Sequence, residues 1–169
     1  ASGVALGLFN YVQNGYHPLE LFGNEVLYTN VAFKSGVDHF YTMFTGGVRP
    51  NDPQIFGLGF GIGSRVNTWK WLSFSFDLTG TFINEKELNT QYTWELNLLN
   101  RLDVTMDFNI KKFTIFAGPA INAHVSQMGY ESTGTFTTDI ARDPFYTASD
   151  DQTQIQFWYG AKAGIRYNF

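Results

Sequence analysis

Apolar and polar residues alternate along most of this chain, and the alternation is clearest near its C-terminal end. From position 155 to 169 the odd positions are apolar, whereas polar, small or charged residues predominate at the even positions. A period of two is typical of a β-strand whose two faces meet different surroundings, because successive side chains point to opposite sides of the strand. Four further segments show the same period, at positions 56–66, 72–82, 94–110 and 113–125.

Three weaker alternations near the N-terminus, at 4–12, 25–34 and 38–46, bring the number of predicted strands to eight. Each has about nine residues or more, the length that a tilted strand needs to cross a bilayer. Short connections (35–37, 67–70 and 110–112) alternate with long ones at 13–24, 47–54, 84–91 and 128–152. This pattern predicts an all-β fold, an eight-stranded antiparallel up-and-down transmembrane β-barrel with short periplasmic turns and long extracellular loops.

Composition agrees with a sheet embedded in a membrane. Charged residues are only 15% of the chain and aromatic residues reach 18%, yet no apolar run approaches the roughly 20 residues of a membrane-spanning helix. The 169 residues suit one domain, which we expect to cover positions 1–169. Because the chain begins with Ala1 rather than Met, we expect either a mature N-terminus after cleavage or a fragment of a longer protein.

Charge and cysteine content exclude several functions. The net charge of −4, without a cluster of Lys and Arg, argues against a nucleic-acid partner. The absence of cysteine excludes disulfides, thiolate metal sites and cysteine nucleophiles.

The polar face of the strands distinguishes a membrane barrel from a soluble ligand-binding barrel, which would show the same alternation with its apolar face inward. Glycine occupies every second position from Gly57 to Gly63, as expected of a narrow lumen in which long charged side chains need an opposing wall without side chains. Eight strands leave an interior that side chains just fill, so no wide pore is expected. We predict that charges of both signs neutralise one another in this lumen, namely Arg65, Asp77, Glu95, Arg101, Asp103, Asp107, Lys162 and Arg166.

The end of the chain carries a recognisable pattern, in which a polar residue, a glycine and two aromatic residues lie at Lys162, Gly164, Tyr167 and Phe169. This pattern resembles the C-terminal signal by which the barrel assembly machinery recognises outer-membrane proteins. The architecture is similar to small barrels of the OmpA/OmpX type, and residues 3–10 resemble glycine-rich repeats of some Bacteroidetes surface proteins. The resemblance implies residence in a Gram-negative outer membrane, among its lipids and lipopolysaccharide.

The histidines are the candidates for catalysis, and His124 stands two residues before Ser126. This spacing invites a His/Ser hydrolase interpretation, and small outer-membrane barrels include enzymes that modify lipid A. In the predicted register, however, both side chains point into the lumen, with no acid beside them to orient the imidazole. We therefore expect no enzyme, and an outer-membrane enzyme acting on lipid A or phospholipid is the alternative.

The predicted loop 128–152 is a candidate metal site, because four aspartates there offer oxygen ligands of the kind that Ca²⁺ prefers. Their spacing matches no calcium-loop motif, so we expect neither a metal nor another cofactor. The residues concerned are Asp139, Asp143, Asp150 and Asp151.

The same loop is the strongest candidate for binding, because connections of this length are usually functional. Its aromatic residues either contact a partner protein or surface glycans, or fold back to cap the barrel mouth. They are Tyr130, Phe136, Phe145 and Tyr146. The sequence thus predicts a membrane anchor that serves as a binding or structural subunit of a larger envelope complex, contacting its partner through the loops or the barrel wall.

Overall fold

A computed structural model describes residues 15–37, 39–85, 94–129 and 140–169, and the structural statements below concern these residues. These residues form nine β-strands. The described part of the chain contains no helix that is long and apolar enough to span a membrane. The strands are β1 (Pro18–Asn24), β2 (Thr29–Val37), β3 (Phe40–Arg49), β4 (Asp52–Trp69), β5 (Leu72–Asn84), β6 (Trp94–Ile110), β7 (Phe113–Met128), β8 (Tyr146–Ser149) and β9 (Thr153–Asn168).

The nine strands make one antiparallel sheet that closes in a ring. From β1 to β7 each strand pairs with the next, β7 pairs with β9, and β9 returns to β1 from Pro18↔Asn168 to Asn24↔Lys162. Eight strands therefore complete the ring, while β8 pairs with β9 alone among the described strands. The predicted all-β antiparallel architecture is confirmed, with β8 as an additional strand.

The ring is closed by a different first strand from the one that the sequence predicted. The predicted strand at 4–12 lies outside the described residues, and β1 occupies the segment 18–24 that was assigned to a loop. In β1, Leu19 and Leu21 are exposed while Glu20 and Phe22 are buried, so the period of two is present. The segment is short and has an acid at its centre, which made it resemble a polar loop.

The connections differ at the two ends of the ring, although less than predicted. The predicted long loop 47–54 is a tight turn of two residues, because β3 runs to Arg49 and β4 begins at Asp52. The connection from β1 to β2 is also short, at 25–28, so only 85–93 and 129–152 are long on this side, and the latter contains β8. We call this side the long-loop end, and the side with the turns 38–39, 70–71 and 111–112 the short-turn end.

The two faces of the sheet have opposite polarity. Large apolar side chains cover the outside, where Phe44, Leu58 and Phe60 are 62–70% exposed, while charged side chains inside the ring are almost completely buried. The largest apolar cluster of the interior lies at the long-loop end, and its members are Val26, Leu27, Ile55, Ile83, Leu99, Ile140 and Trp158. We call this group the apolar plug.

Candidate functional site

Four ionised side chains meet at the centre of the ring, and we call them the central cluster. The ammonium of Lys34 lies 2.8 Å from Glu20 Oε1 and 2.9 Å from Asp77 Oδ2. The ammonium of Lys162 lies 3.1 Å from Asp77 Oδ2 and 3.4 Å from Glu20 Oε2. Each lysine therefore touches both carboxylates, and the two charges of each sign cancel.

Towards the short-turn end the central cluster continues through Arg166. Its Nε lies 2.6 Å from Glu20 Oε1, and its Nη1 lies 2.5 Å from Asp107 Oδ2. The carboxylate of Asp107 also accepts hydrogen bonds from Ser75 Oγ at 2.6 Å and Thr105 Oγ1 at 2.9 Å. Three different strands thus hold this one carboxylate, as a charge without access to water requires.

Towards the long-loop end the chain of ion pairs continues through Arg101. The guanidinium reaches Asp103 Oδ1 at 2.7 Å and Glu25 Oε1 at 2.6 Å, and it donates to the carbonyl oxygen of Ala161 at 2.7 Å. Asp103 in turn lies 3.8 Å from the ammonium of Lys162 in the central cluster. Burial alone would raise the pKa of Glu25, which lies between β1 and β2, but the charge of Arg101 and its hydrogen bonds lower that pKa below its usual value.

These contacts form one interior charge network that runs along the ring from Glu25 to Arg65. Its charges balance, with cations at Lys34, Arg65, Arg101, Lys162 and Arg166 and acids at Glu20, Glu25, Asp77, Asp103 and Asp107. Buried ions are tolerated when they are paired in this way, whereas removal of one partner leaves an uncompensated charge.

The structure places seven of the eight predicted lumen charges in this network, and Glu95 is the exception. The side chain of Glu95 is exposed, because the pairing of β6 with β7 shifts register between Trp94 and Leu96. That irregularity removes Glu95 from the alternation that the residues after it obey. Sequence reasoning missed Glu20 and Glu25, which lay in or next to a predicted loop, and Lys34, which ended a predicted strand.

Glycine makes room for the network at two places. A Cβ at Gly63 would lie 2.5 Å from Asp77 Oδ1 and against the ring of Tyr41, whose hydroxyl donates to the same Oδ1 at 2.7 Å. A Cβ at Gly160 would meet the carboxylate of Glu25. Long polar side chains therefore face Gly63 and Gly160, whereas Gly59 and Gly61 approach threonines and the backbone of β5, which the sequence did not predict.

His124 and Ser126 are fully buried on the inner face of β7. His124 Nε2 lies 2.5 Å from Asn97 Oδ1, and the imidazole stands edge-on to Trp158 with 6.3 Å between ring centroids. The hydroxyl of Ser126 has no hydrogen-bond partner among the described residues, so these two side chains do not form a nucleophile and base pair there. They lie where the predicted register put them.

The predicted binding loop is divided between burial and exposure. Tyr130 and Phe136 lie outside the described residues. Ile140 is completely buried in the apolar plug. Two residues later, Arg142 donates a hydrogen bond from its guanidinium to the hydroxyl of Tyr28. This part of the loop caps the mouth.

Phe145 and Tyr146 remain more than half exposed at the start of β8. Phe145 packs against Tyr159 with 4.7 Å between ring centroids, and Tyr146 packs against Phe157 at 5.9 Å. The four rings make an aromatic shelf on the outer side of β8 and β9, at the long-loop end.

The residues of the C-terminal pattern lie on both faces of β9. Lys162 points into the central cluster, whereas Phe169 is 75% exposed. Tyr167 packs between Phe113 and Phe169, with centroid distances of 5.2 and 5.1 Å. At Gly164 a Cβ would meet the backbone of β1, so the strand that closes the ring approaches closely at this point.

No group of three or more His, Asp or Glu side chains able to hold a metal ion occurs in the part of the chain that the structure describes. Comparison with known proteins found no matching protein family, no matching curated protein and no matching solved structure.

Proposed function

We propose that this protein is an integral β-barrel of a Gram-negative outer membrane that acts as a non-enzymatic anchor and presents its long-loop end to a partner in the cell envelope. The observation that supports the proposal is the opposite polarity of the two faces: the charges are inside and paired, and the large apolar side chains are outside and exposed. In water each fully buried Leu, Ile or Phe is worth about 1.5–3 kcal/mol, so an outer wall of such residues favours hydrocarbon as its surroundings.

Strand length and edge chemistry agree with this proposal. The strands β4, β6, β7 and β9 have 16 to 18 residues each, more than the 9 to 11 that a tilted strand needs to cross a bilayer, whereas β1, with 7 residues, is shorter. Pairing of β9 with β1 closes the ring, as a sheet within lipid requires, and among the described strands only β8, at the long-loop end, has an edge without a partner strand. Under the proposal the short-turn end faces the periplasm and the long-loop end faces the outside.

The alternative functions gain no support from the geometry. An enzyme acting on lipid A or phospholipid needs its nucleophile at the lipid surface, and Ser126 is completely buried on the inner face of β7. A soluble barrel that binds an apolar ligand needs an apolar interior, and the centre of this ring holds an ionic network.

Membrane residence is tested by expressing the chain with an outer-membrane leader and separating the membranes by density. We expect the protein in the outer-membrane fraction, resistant to extraction with alkaline carbonate and released only by detergent. Recovery of a monodisperse protein in buffer without detergent would contradict the proposal.

The partner is tested through the aromatic shelf. Under the proposal, affinity purification in mild detergent retains a stoichiometric envelope protein, and the double variant Phe145→Thr/Tyr146→Thr loses it, while threonine preserves the β-strand preference. Phe108→Thr at the short-turn end is the matched control and should retain the partner. If the native chain is purified alone, the role in partner binding is wrong although the membrane location can still hold.

A further inference from the structure

The exposed rim of the short-turn end carries two aromatic stacks. Trp69 and Trp71 stack with 5.8 Å between ring centroids, and Phe108 extends the stack at 6.3 Å from Trp71. On the other side of the 111–112 turn, Tyr167 packs on Phe113 at 5.2 Å. Aromatic side chains with one polar atom are typical of the interface between hydrocarbon and headgroups, so in the proposed barrel this rim lies at headgroup depth.

Three lysines stand at the tips of the same turns. Lys70 lies between the two stacked tryptophans, and Lys111 and Lys112 form the next turn along the ring. All three are exposed, and no ion pair joins any of them to another described residue. The ammonium of Lys112 lies 5.9 Å from the ring centre of Tyr167, which ties this charge to the aromatic rim.

Between the turns the mouth of the ring is a concavity of about 710 Å³. Arg65 lies at its base, and Asn67, Asn109 and Asn168 line it together with Lys70 and Lys111. No carboxylate lines the concavity among the described residues. The chemistry of the mouth is therefore that of an anion site, with cations and amide donors around it.

The opposite end has the opposite charge. Exposed acids predominate among the described residues there, at Glu95, Asp143, Asp150 and Asp151, against one exposed cation, Arg142. Exposed charge among the described residues thus changes sign along the axis of the ring, and of the two ends the described part of the short-turn end complements an anionic surface.

We infer that the short-turn end is a binding collar for the phosphate headgroups of anionic phospholipids, formed by Lys70, Lys111 and Lys112 above the aromatic rim. This inference rests on the proposed function, because only a barrel in a bilayer brings the rim to headgroup depth. A headgroup phosphate would meet the lysine ammonium groups in water, while the acyl chains of the same lipid lie along the apolar outer wall. Phosphate dissolved in water offers the charge alone, without the second contact.

The test uses the full chain in neutral detergent micelles with equal amounts of phosphatidylglycerol and phosphatidylcholine. Native mass spectrometry then reports which lipid stays bound. We expect a preference for phosphatidylglycerol that falls roughly fivefold for each lysine removed, and therefore about a hundredfold in the triple variant Lys70→Gln/Lys111→Gln/Lys112→Gln. Arg142→Gln at the long-loop end is the control for charge removal and should leave the preference unchanged. Raising the salt concentration should weaken the native preference, because the collar is exposed.

Two further arms separate the possible outcomes. Flotation with pure phosphatidylcholine vesicles measures insertion without anionic lipid. If the native chain and the triple variant both float but neither prefers phosphatidylglycerol, the inferred binding collar is wrong, whereas the proposed membrane barrel is retained. If the native chain does not float at all, the proposed function itself fails, and the collar fails with it. Glycerol phosphate is the soluble probe, and its binding with an affinity equal to that of the lipid would overturn the assignment to a membrane lipid.

Discussion

Asp77 shows how strongly single residues of the interior depend on one another. Its carboxylate contacts the ammonium groups of Lys34 and Lys162 and accepts a hydrogen bond from Tyr41, with almost no access to water. Because the carboxylate is closed off from bulk water, water cannot take the place of any of these partners. A substitution of Asp77 therefore tests whether the stability of the protein requires this interior charge.

Asp77→Asn removes one acid from the central cluster and leaves its two lysines with Glu20 and, 3.8 Å from Lys162, Asp103. We expect a loss of about 3 kcal/mol in the free energy of unfolding, since an unpaired buried charge typically costs 3–5 kcal/mol. Urea titration of the protein in lipid vesicles measures it. Asp151→Asn, at an exposed acid of the 129–152 connection, should change stability by less than about 0.5 kcal/mol. Equal stability of the two variants would show that the network is not paired as described.

Gly63 tests the packing of the same cluster from the opposite wall. Gly63→Ala places a methyl group against Tyr41 and Asp77, and we expect a destabilisation of about 1–3 kcal/mol from overpacking. Gly80→Ala is the matched control, because its Cβ would face outward with its nearest contact at 3.5 Å, an ordinary distance. The same titration compares both variants, and a neutral Gly63→Ala would contradict the close approach.

Alternation identified most of the residues that line the interior, because inside a closed sheet one face is determined by parity. Alternation failed at Glu95, where a register shift interrupts the regular exchange of inner and outer positions. It also failed at Glu20, where the strand was too short to recognise. Leu99 and Trp158, apolar residues on the polar face, were exceptions to the pattern, and both belong to the apolar plug. Their function as a plug depends on Ile140, which no local pattern connects to them.

At the scale of elements, the connection between β7 and β9 is the part that sequence described least well. The sequence predicted one long loop that either contacts a partner or folds back over the mouth, whereas one section of it is buried and another forms β8. The burial of Ile140 requires partners from β4, β5, β6 and β9, all distant in sequence. Contacts of this kind form when the ring closes. An alternation of apolar and polar residues along the sequence does not predict them.

Ile140→Ala should loosen the cap without opening the ring. Removing a buried isoleucine side chain typically costs 2–5 kcal/mol, and here the loss concerns the contact that holds residues 140–145 against the plug. We expect faster amide hydrogen exchange in this segment, measured by mass spectrometry, with unchanged exchange in β5 and β6. Ile115→Ala, at an exposed position of the outer wall, is the control. Slow exchange in the Ile140 variant would mean that the plug does not hold the loop.

At the scale of the whole molecule, the distribution of charged and apolar side chains between inside and outside is the reverse of that in a typical water-soluble protein. A network of paired ions occupies the centre, and a continuous apolar wall forms the outside. The all-β antiparallel architecture followed from the sequence because alternation, chain length and the absence of long apolar runs are properties of the whole chain. The identity of a partner did not follow from the sequence, because the proposed recognition through the aromatic shelf depends on shape rather than on a sequence period.

The orientation of the wall in lipid is measured most directly by spin labels at single introduced cysteines, which the cysteine-free chain makes possible. With the protein in vesicles, labels at Leu78, Leu102 and Ile165 should collide often with dissolved oxygen and rarely with a water-soluble nickel complex. A label at Asp150 should show the reverse. Frequent collisions with nickel along the outer wall would contradict the claim that hydrocarbon surrounds it.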